Sequence, residues 1–175
     1  DYFKSYAFNS VRLRYFNAAG AHSSGKIGED PRLCGNILPL IMQTFIGGRE
    51  NLKLYGNDFP TKDGTQERDY IHVMDLASAH ISALSWLDKN QGSFVYNLGT
   101  GNPTSVKTLI QTSEQIVGKT LPVELVEPRR GDPIIVYCDP KKAKEELDWE
   151  AVYTIKDIIR DHWNWVKQNP QGYSQ

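Results

Sequence analysis

Hydrophobic positions along the 175 residues change their period repeatedly, and each change marks an element. Asp1 to Phe8 has the look of a helix tail, and it runs into the β-branched and aromatic stretch Val11-Arg12-Leu13-Arg14-Tyr15-Phe16, which predicts a strand. A polar, glycine-containing connection spans Ala18 to Pro31. An apolar helix then covers Leu38 to Phe45 and is stopped by Gly47-Gly48. Leu52 to Tyr55 and Asp69 to Val73 read as short strands. Leu76, Ala79, Ala83, Leu84 and Leu87 recur at helical spacing, with His80 on the same face. Phe94 to Leu98 predicts a buried strand, and Gly99-Thr100-Gly101 leads to a helix capped by Ser105. That helix turns Val106, Leu109, Ile110, Ile116 and Val117 inward and stops at Gly118. A strand near Val123 to Val126 and a proline-initiated helix at Asp139-Pro140 follow. The last helix is capped by Thr154, with Ile155, Ile158, Ile159, His162, Trp163 and Val166 facing inward. From Asn169 onward the chain is polar and is expected to fray. Strands and helices alternate without an internal repeat, so the fold class is α/β.

Composition narrows the function classes. The formal charge of -1 arises from nearly balanced acids and bases, so the chain lacks the basic field that attracts nucleic acid or anionic lipid. The most apolar stretch, Asn36 to Gly48, is broken by Pro39 and falls short of the roughly 20 residues of a membrane helix. No secretory leader opens the chain, which gives a cytoplasmic expectation. Cys34 and Cys138 stand far apart with no His or second Cys at metal-ligand spacing, and both are expected to be free, inert thiols.

Several residue settings carry chemistry. The stretch Gly56 to Leu76 is a loop of Gly, Pro and Asp that delivers Arg68 to the mouth of a strand. Arg129 lies in Pro128-Arg129-Arg130-Gly131-Asp132-Pro133. Two convergent guanidinium forks suit the two anionic groups of a diphosphate, whereas either Arg alone is more often a solvated charge or an ion-pair partner. Asn17, at the end of a strand, is placed either to hold a phosphate or sugar oxygen or to bond its own turn. Tyr55 offers a face for a flat base, or simply a piece of core. Gly99-Thr100-Gly101 imitates a dinucleotide fingerprint, but Pro103 and Thr104 interrupt it, and a tight strand-to-helix turn accounts for it better. The histidines lack the pairing of a helical zinc site. His80 and His162 read as core-face histidines with satisfied hydrogen bonds. Asp69, His72 and Asp75 point to different faces and form no hydrolytic triad, and Asp75 is assigned to capping the helix after it.

These motifs, in this order, resemble the UDP-glucose (UDP-galactose) 4-epimerase family of extended short-chain dehydrogenases. The likeness rests on Leu13-Arg14-Tyr15-Phe16-Asn17 with Gly20-Ala21-His22, Gly28-Glu29-Asp30-Pro31, Asn36-Ile37-Leu38-Pro39, the Gly56 to Leu76 stretch, Tyr96-Asn97-Leu98-Gly99-Thr100-Gly101 and Arg129-Arg130-Gly131-Asp132. It implies that Phe16 touches the nicotinamide end of NAD and that Asn17 binds the UDP-sugar. Asn36 and Ile37 would contact the nucleotide, and Lys53, Leu54 and Tyr55 would form the uracil-binding strand, with Tyr55 stacked on the base. Arg68 and Arg129 would clamp the diphosphate, Asp132 would take a ribose hydroxyl and Val136 would border the hexose. Two departures stand out: Arg32-Leu33-Cys34-Gly35 replaces a connection in which many relatives carry a second Asn or a His, and Val136 stands where some carry a bulky residue.

The resemblance also implies what this chain does not supply. No glycine-rich phosphate loop follows an N-terminal strand, and a Tyr-x-x-x-Lys pair is expected to be absent from the chain. The expectation is therefore the C-terminal, UDP-sugar-binding portion of an NAD-dependent epimerase, inactive alone and unable to retain NAD. One unit would span residues 1–175, with 1–17 and about 73–117 completing a Rossmann sheet. UDP-glucose and UDP-galactose would be the ligands, and the parent a homodimer through its N-terminal half. A non-catalytic UDP-sugar-binding module and another nucleotide-sugar-modifying short-chain dehydrogenase are the rival readings.

Overall fold

The computed structural model describes residues 2–32 and 35–173. The expectations for Cys34 and for Leu33 in the altered connection lie outside the described residues. In chain order the elements are α1 (Tyr2–Tyr6), β1 (Ser10–Tyr15), β2 (Asn17–Ala19), α2 (Ile37–Phe45), β3 (Leu52–Tyr55), β4 (Glu67–Arg68), β5 (Tyr70–His72), α3 (Val73–Leu87), β6 (Ser93–Leu98), β7 (Thr104–Ser105), α4 (Val106–Val117), β8 (Val123–Val126), β9 (Ile135–Val136), α5 (Lys141–Leu147) and α6 (Ile155–Gln168). The predicted strands and helices are present, and β2, β4, β7 and β9 are short additions that periodicity does not reveal.

Parallel pairing dominates. β1 runs beside β6 with Val11 opposite Phe94 and Tyr15 opposite Leu98, β2 pairs with β5, and β3 pairs with β8. β4 lies between β7, antiparallel, and β9, parallel. The chain changes partners at one point: Phe16 N–H still donates to Leu98 on β6, whereas Asn17 N–H donates to Asp69 beside β5. A chain that switches partners at the carboxyl end of a parallel strand opens a crevice there, where open α/β sheets bind ligands.

Two apolar clusters hold the elements. One joins α2, α4 and α6 over β3 through Leu38, Ile41, Leu109, Ile158, Ile159 and Trp165. The other packs α3 and α5 on β6 through Ala79, Tyr96, Leu98, Leu147 and Trp149. Caps set the helix ends: the Ser105 hydroxyl accepts from Thr108 N–H, and Gly118 closes α4 in the left-handed region at φ 75°. Thr154 and Asp157 form a reciprocal capping box at α6.

Five expectations need correction. His80 is exposed rather than on the core face; its Nε2 lies 2.7 Å from the Tyr15 hydroxyl and its Nδ1 2.7 Å from Leu76 O. Leu84 is 61% exposed, because α3 is covered along one side only. Asp75 does not cap α3. The His72 imidazole does so, accepting from Met74 N–H, while the buried Asp75 carboxylate accepts from Val152 and Tyr153 N–H and ties down the loop before α6. His162 is buried as expected, but its Nδ1 has no hydrogen-bond partner among the described residues. The described residues after α6 are pinned rather than frayed. Asn169 donates to Gly25 O, and Tyr173 donates to Gly28 O and packs on Trp165.

Candidate functional site: a two-chambered cleft

The cleft at the partner switch has two joined chambers. The wider, about 570 Å3, is lined by Tyr15, Phe16, Asn17, Asn36, Ile37, Tyr70 and Val136 among others. The narrower, about 200 Å3, takes in Asn17, Asn36, Ile37, Lys53, Leu54, Tyr55, Arg68, Tyr70, Arg129 and Asp132. Each residue expected to touch the nucleotide, the sugar or the cofactor lines one chamber or both, although they come from widely separated stretches. Asn17, Asn36, Ile37 and Tyr70 are shared and mark the junction.

Local chemistry explains how each side chain is presented. The Gly56 to Leu76 stretch is folded by Asp63, whose carboxylate accepts from Thr65 N–H and hydroxyl and from the Ser105 hydroxyl. Gly64 takes φ +80°, and an added Cβ there would run into the Asn57 carbonyl. Beyond this loop side chains alternate. Arg68 and Tyr70 face the cleft, and Asp69 between them is buried on the other side. The Asp69 carboxylate accepts from Thr100 and Gly101 N–H at 2.9 Å each and from the Thr100 hydroxyl at 2.7 Å. This is the tight turn expected at Gly99-Thr100-Gly101, and Gly99 is obligatory because a Cβ would strike Asp69 and Cys138.

Arg68 is partly committed to its own framework, donating through Nη1 to Glu67 O at 2.9 Å and Ile134 O at 3.2 Å. This fixes the guanidinium plane and leaves its other N–H groups for a ligand. Arg129 lies with its guanidinium carbon 3.7 Å from the Tyr55 ring centroid, a cation-π contact. One face of Tyr55 thus carries Arg129 in this structure. Asn36 reaches Glu29 through a 3.4 Å hydrogen bond. Burial raises the Glu29 carboxyl above its ordinary range against the lowering effect of that bond. Cys138 is buried and free, and burial together with Asp69 pushes its thiol up to about 12, as an inert structural thiol requires.

Sequence reasoning passed over two features. Tyr70 lines both chambers, and the signal was its position two residues beyond Arg68 on a strand, hence on the same face. The expectation that the Tyr-x-x-x-Lys spacing is absent needs correction, because Tyr137 and Lys141 have it. They straddle Pro140 instead of sharing a helix turn; Tyr137 is 58% exposed, Lys141 pairs with Glu145, and neither lines the cleft. Among the described residues no group of three or more His, Cys, Asp or Glu is arranged for a metal ion, and no helix is long and apolar enough to cross a membrane.

The chain belongs to the family described as GDP-mannose 4,6 dehydratase, whose model matches residues 1–162. Within this class are relatives that bear the epimerase name. It is 50% identical over 167 residues to UDP-glucose 4-epimerase 3 of Oryza sativa subsp. japonica, covering 94% of this chain and 45% of that protein. It is 48% identical to the human UDP-glucose 4-epimerase over 95% of this chain and 48% of that one. The UDP-glucose 4-epimerase of Bifidobacterium longum, solved with NAD+ and UDP, superposes with a TM-score of 0.92 at 40% identity, over 98% of this chain and 51% of that one. The fold is that of part of an extended short-chain dehydrogenase, and the chain spans about half the length of the curated relatives it matches.

Proposed function

We propose that this chain is the UDP-sugar-binding portion of an NAD-dependent UDP-hexose 4-epimerase. The observation that carries the reading is the convergence of Asn17, Asn36, Ile37, Tyr55, Arg68, Arg129, Asp132 and Val136 on one cleft from stretches far apart in sequence. Relatives at about half identity that bear the epimerase name support it.

In this reading the narrow chamber takes the nucleoside diphosphate. Lys53 to Tyr55 flank the base, Asp132 accepts from a ribose hydroxyl, and the free N–H groups of Arg68 and Arg129 meet the phosphates. Seating the base beside Tyr55 requires Arg129 either to slide toward the diphosphate or to remain on the opposite ring face. The hexose extends into the wide chamber beside Val136 and Phe16, where Asn17 holds a sugar or phosphate oxygen. The described residues fit only one end of NAD, with Tyr15 and Phe16 as an aromatic wall. When bound, NAD would take up and return the hydride of the inverted carbon. The chain's own part is to bind and orient: UDP binding energy, remote from the reacting carbon, anchors the nucleotide while the sugar turns. A cytoplasmic metabolic setting and a homodimeric parent belong to the same reading.

Calorimetric titration with UDP tests it. Binding is expected, and Arg68→Ala and Arg129→Ala should each weaken it roughly ten- to a hundredfold, as loss of a charge-assisted hydrogen bond of about 1.5 to 3 kcal/mol implies. Unchanged UDP affinity after both substitutions removes the clamp. Incubated with UDP-galactose and added NAD, the chain alone should show no turnover, and activity above background would refute its assignment as the non-catalytic portion.

A further inference from the structure

The described residues between β2 and α2 form neither helix nor strand, so no ladder satisfies their backbone groups. α6 and the chain after it supply partners: Asn164 donates to Ser23 O at 3.3 Å, Asn169 to Gly25 O at 3.0 Å and the Trp165 indole N–H to Glu29 O at 2.8 Å. Gly28 is held from farther along. Its N–H donates to the Tyr173 hydroxyl at 3.0 Å, and that hydroxyl donates to Gly28 O at 2.9 Å, so one side chain meets both backbone polar groups of one residue. The Tyr173 ring packs on Trp165 with centroids 4.8 Å apart, and Gly28 lies against the same indole, where no Cβ would fit. The connection held in this way leads to the cleft. Asn36 stands at the N-cap of α2, yet its side chain makes no capping bond; its amide donates instead to the Glu29 carboxylate at 3.4 Å, and the residue borders both chambers.

We propose that Tyr173 is a positioning residue for ligand binding: its hydroxyl fixes Gly28, and through Glu29 it sets the place of the Asn36 carboxamide where the two chambers meet. The assignment rests on the nucleotide-sugar reading of the cleft. Gly28 and Glu29 are consecutive, so Tyr173 at one and the Trp165 indole at the other hold the backbone from which the Glu29 carboxylate reaches Asn36. A hydroxyl that donates and accepts at the same residue fixes direction as well as distance. Tyr173 itself lines neither chamber, so any effect it has on binding passes through the connection. With the two bonds gone, the Asn36 carboxamide is free to take up more positions, and a ligand must order it on binding. A residue 145 positions from Gly28 in sequence is thereby part of the support of the cleft.

The test is a double-substitution cycle on UDP affinity, measured by calorimetry for wild type, Tyr173→Phe, Asn36→Ala and the pair, well below the melting temperature of each. Phenylalanine keeps the ring on Trp165 and removes only the hydroxyl. Tyr173→Phe is expected to weaken UDP binding roughly three- to tenfold, and to change it by less than about twofold where Asn36 is already alanine. That dependence on Asn36 separates positioning from plain stabilisation of the fold, which would cost the same affinity in both backgrounds. Equal losses in the two backgrounds, or wild-type UDP binding that Tyr173→Phe leaves intact, would overturn the Tyr173 assignment alone. A wild type that does not bind UDP overturns the nucleotide reading and this assignment with it. Should the phenylalanine variant melt without cooperativity, Tyr173→Met, which keeps an apolar cover on Trp165, reads the same cycle.

Discussion

Asp69 sits where separate pieces of the cleft are fastened together. Its N–H donates to Val136 O and its carbonyl accepts from Asn17 N–H, so one residue spaces β9 from β2. Its carboxylate gathers Thr100, Gly101 and, at 3.3 Å, Cys138 N–H. Asp69→Ala would orphan buried N–H donors at about 1 to 3 kcal/mol each, so a destabilisation of roughly 3 kcal/mol or more is expected, read from the urea midpoint at constant slope. UDP affinity should fall as well, because Arg68 adjoins the lost anchor. A midpoint equal to wild type would show that the carboxylate does not hold the loop. His162 gives a second residue-scale expectation. Burial lowers its pKa to about 4, against an ordinary value of 6.5, so the folded state favours the neutral ring. That contribution is complete above about pH 6.5 and is lost as pH falls toward about 4, where the unfolded chain takes a proton that the folded chain refuses. Stability should drop by about 1.4 kcal/mol per unit in that window. His72, also lowered by burial with Asp161 opposing, adds a loss of the same sign, so the decisive comparison is His162→Phe. A slope between pH 7 and 5 that is no shallower in the variant would reject the assignment.

Elements show what can be read from a sequence and what needs the assembled molecule. The ends of α4 and α6 were legible because caps are local: Ser105, Gly118 and Thr154 act within a few residues of themselves. Thr154→Ala should cost about 1 kcal/mol, measured as a lower melting temperature, and an unchanged value would mean that the capping box carries no stability. Which apolar residue is most deeply buried was less legible. On α6 the expected inward aromatic, Trp163, is half-buried with its ring edge-on to Phe45, whereas Trp165 is fully enclosed and donates to Glu29 O at 2.8 Å. That enclosure comes from the polar connection before α2 and the chain after α6, segments without periodicity that close over the helix from both sides. Gly28 lies against the Trp165 indole, and a methyl group there would collide with the ring. Gly28→Ala is accordingly expected to destabilise by roughly 1 to 3 kcal/mol, read from denaturant unfolding; a neutral result would mean the connection can move aside. On α3 the apolar stripe was read correctly as a pattern, but His80 meets β1 only at its rim through Tyr15, and Leu84 stays exposed. The cleft residues were legible through the family resemblance more than through periodicity. Tyr70 escaped because an aromatic in a strand looks like core until the cavity beside it is seen.

At the scale of the whole molecule the apolar surface is unevenly covered. β1 pairs with β6 alone among the described strands, which leaves its other edge of N–H and C=O groups open. Beside it, Tyr15 packs on His80 of α3, and Ile81 and Leu84 on that helix are 66% and 61% exposed. An open parallel edge next to exposed large aliphatic side chains is a template for pairing with other chains, because parallel strands are ordinarily buried on both faces and edges are ordinarily blunted. In the proposed parent this is the side that the rest of the Rossmann sheet would cover. The isolated chain should therefore associate with itself at roughly micromolar to millimolar concentrations, seen as a concentration-dependent sedimentation coefficient. Placing charges on the exposed face with Ile81→Glu and Leu84→Lys together should reduce that association while leaving UDP affinity unchanged, since neither residue lines the cleft. A wild type that sediments as a monomer throughout that range, or association that the double substitution does not alter, would show that the open face is not what brings the chains together.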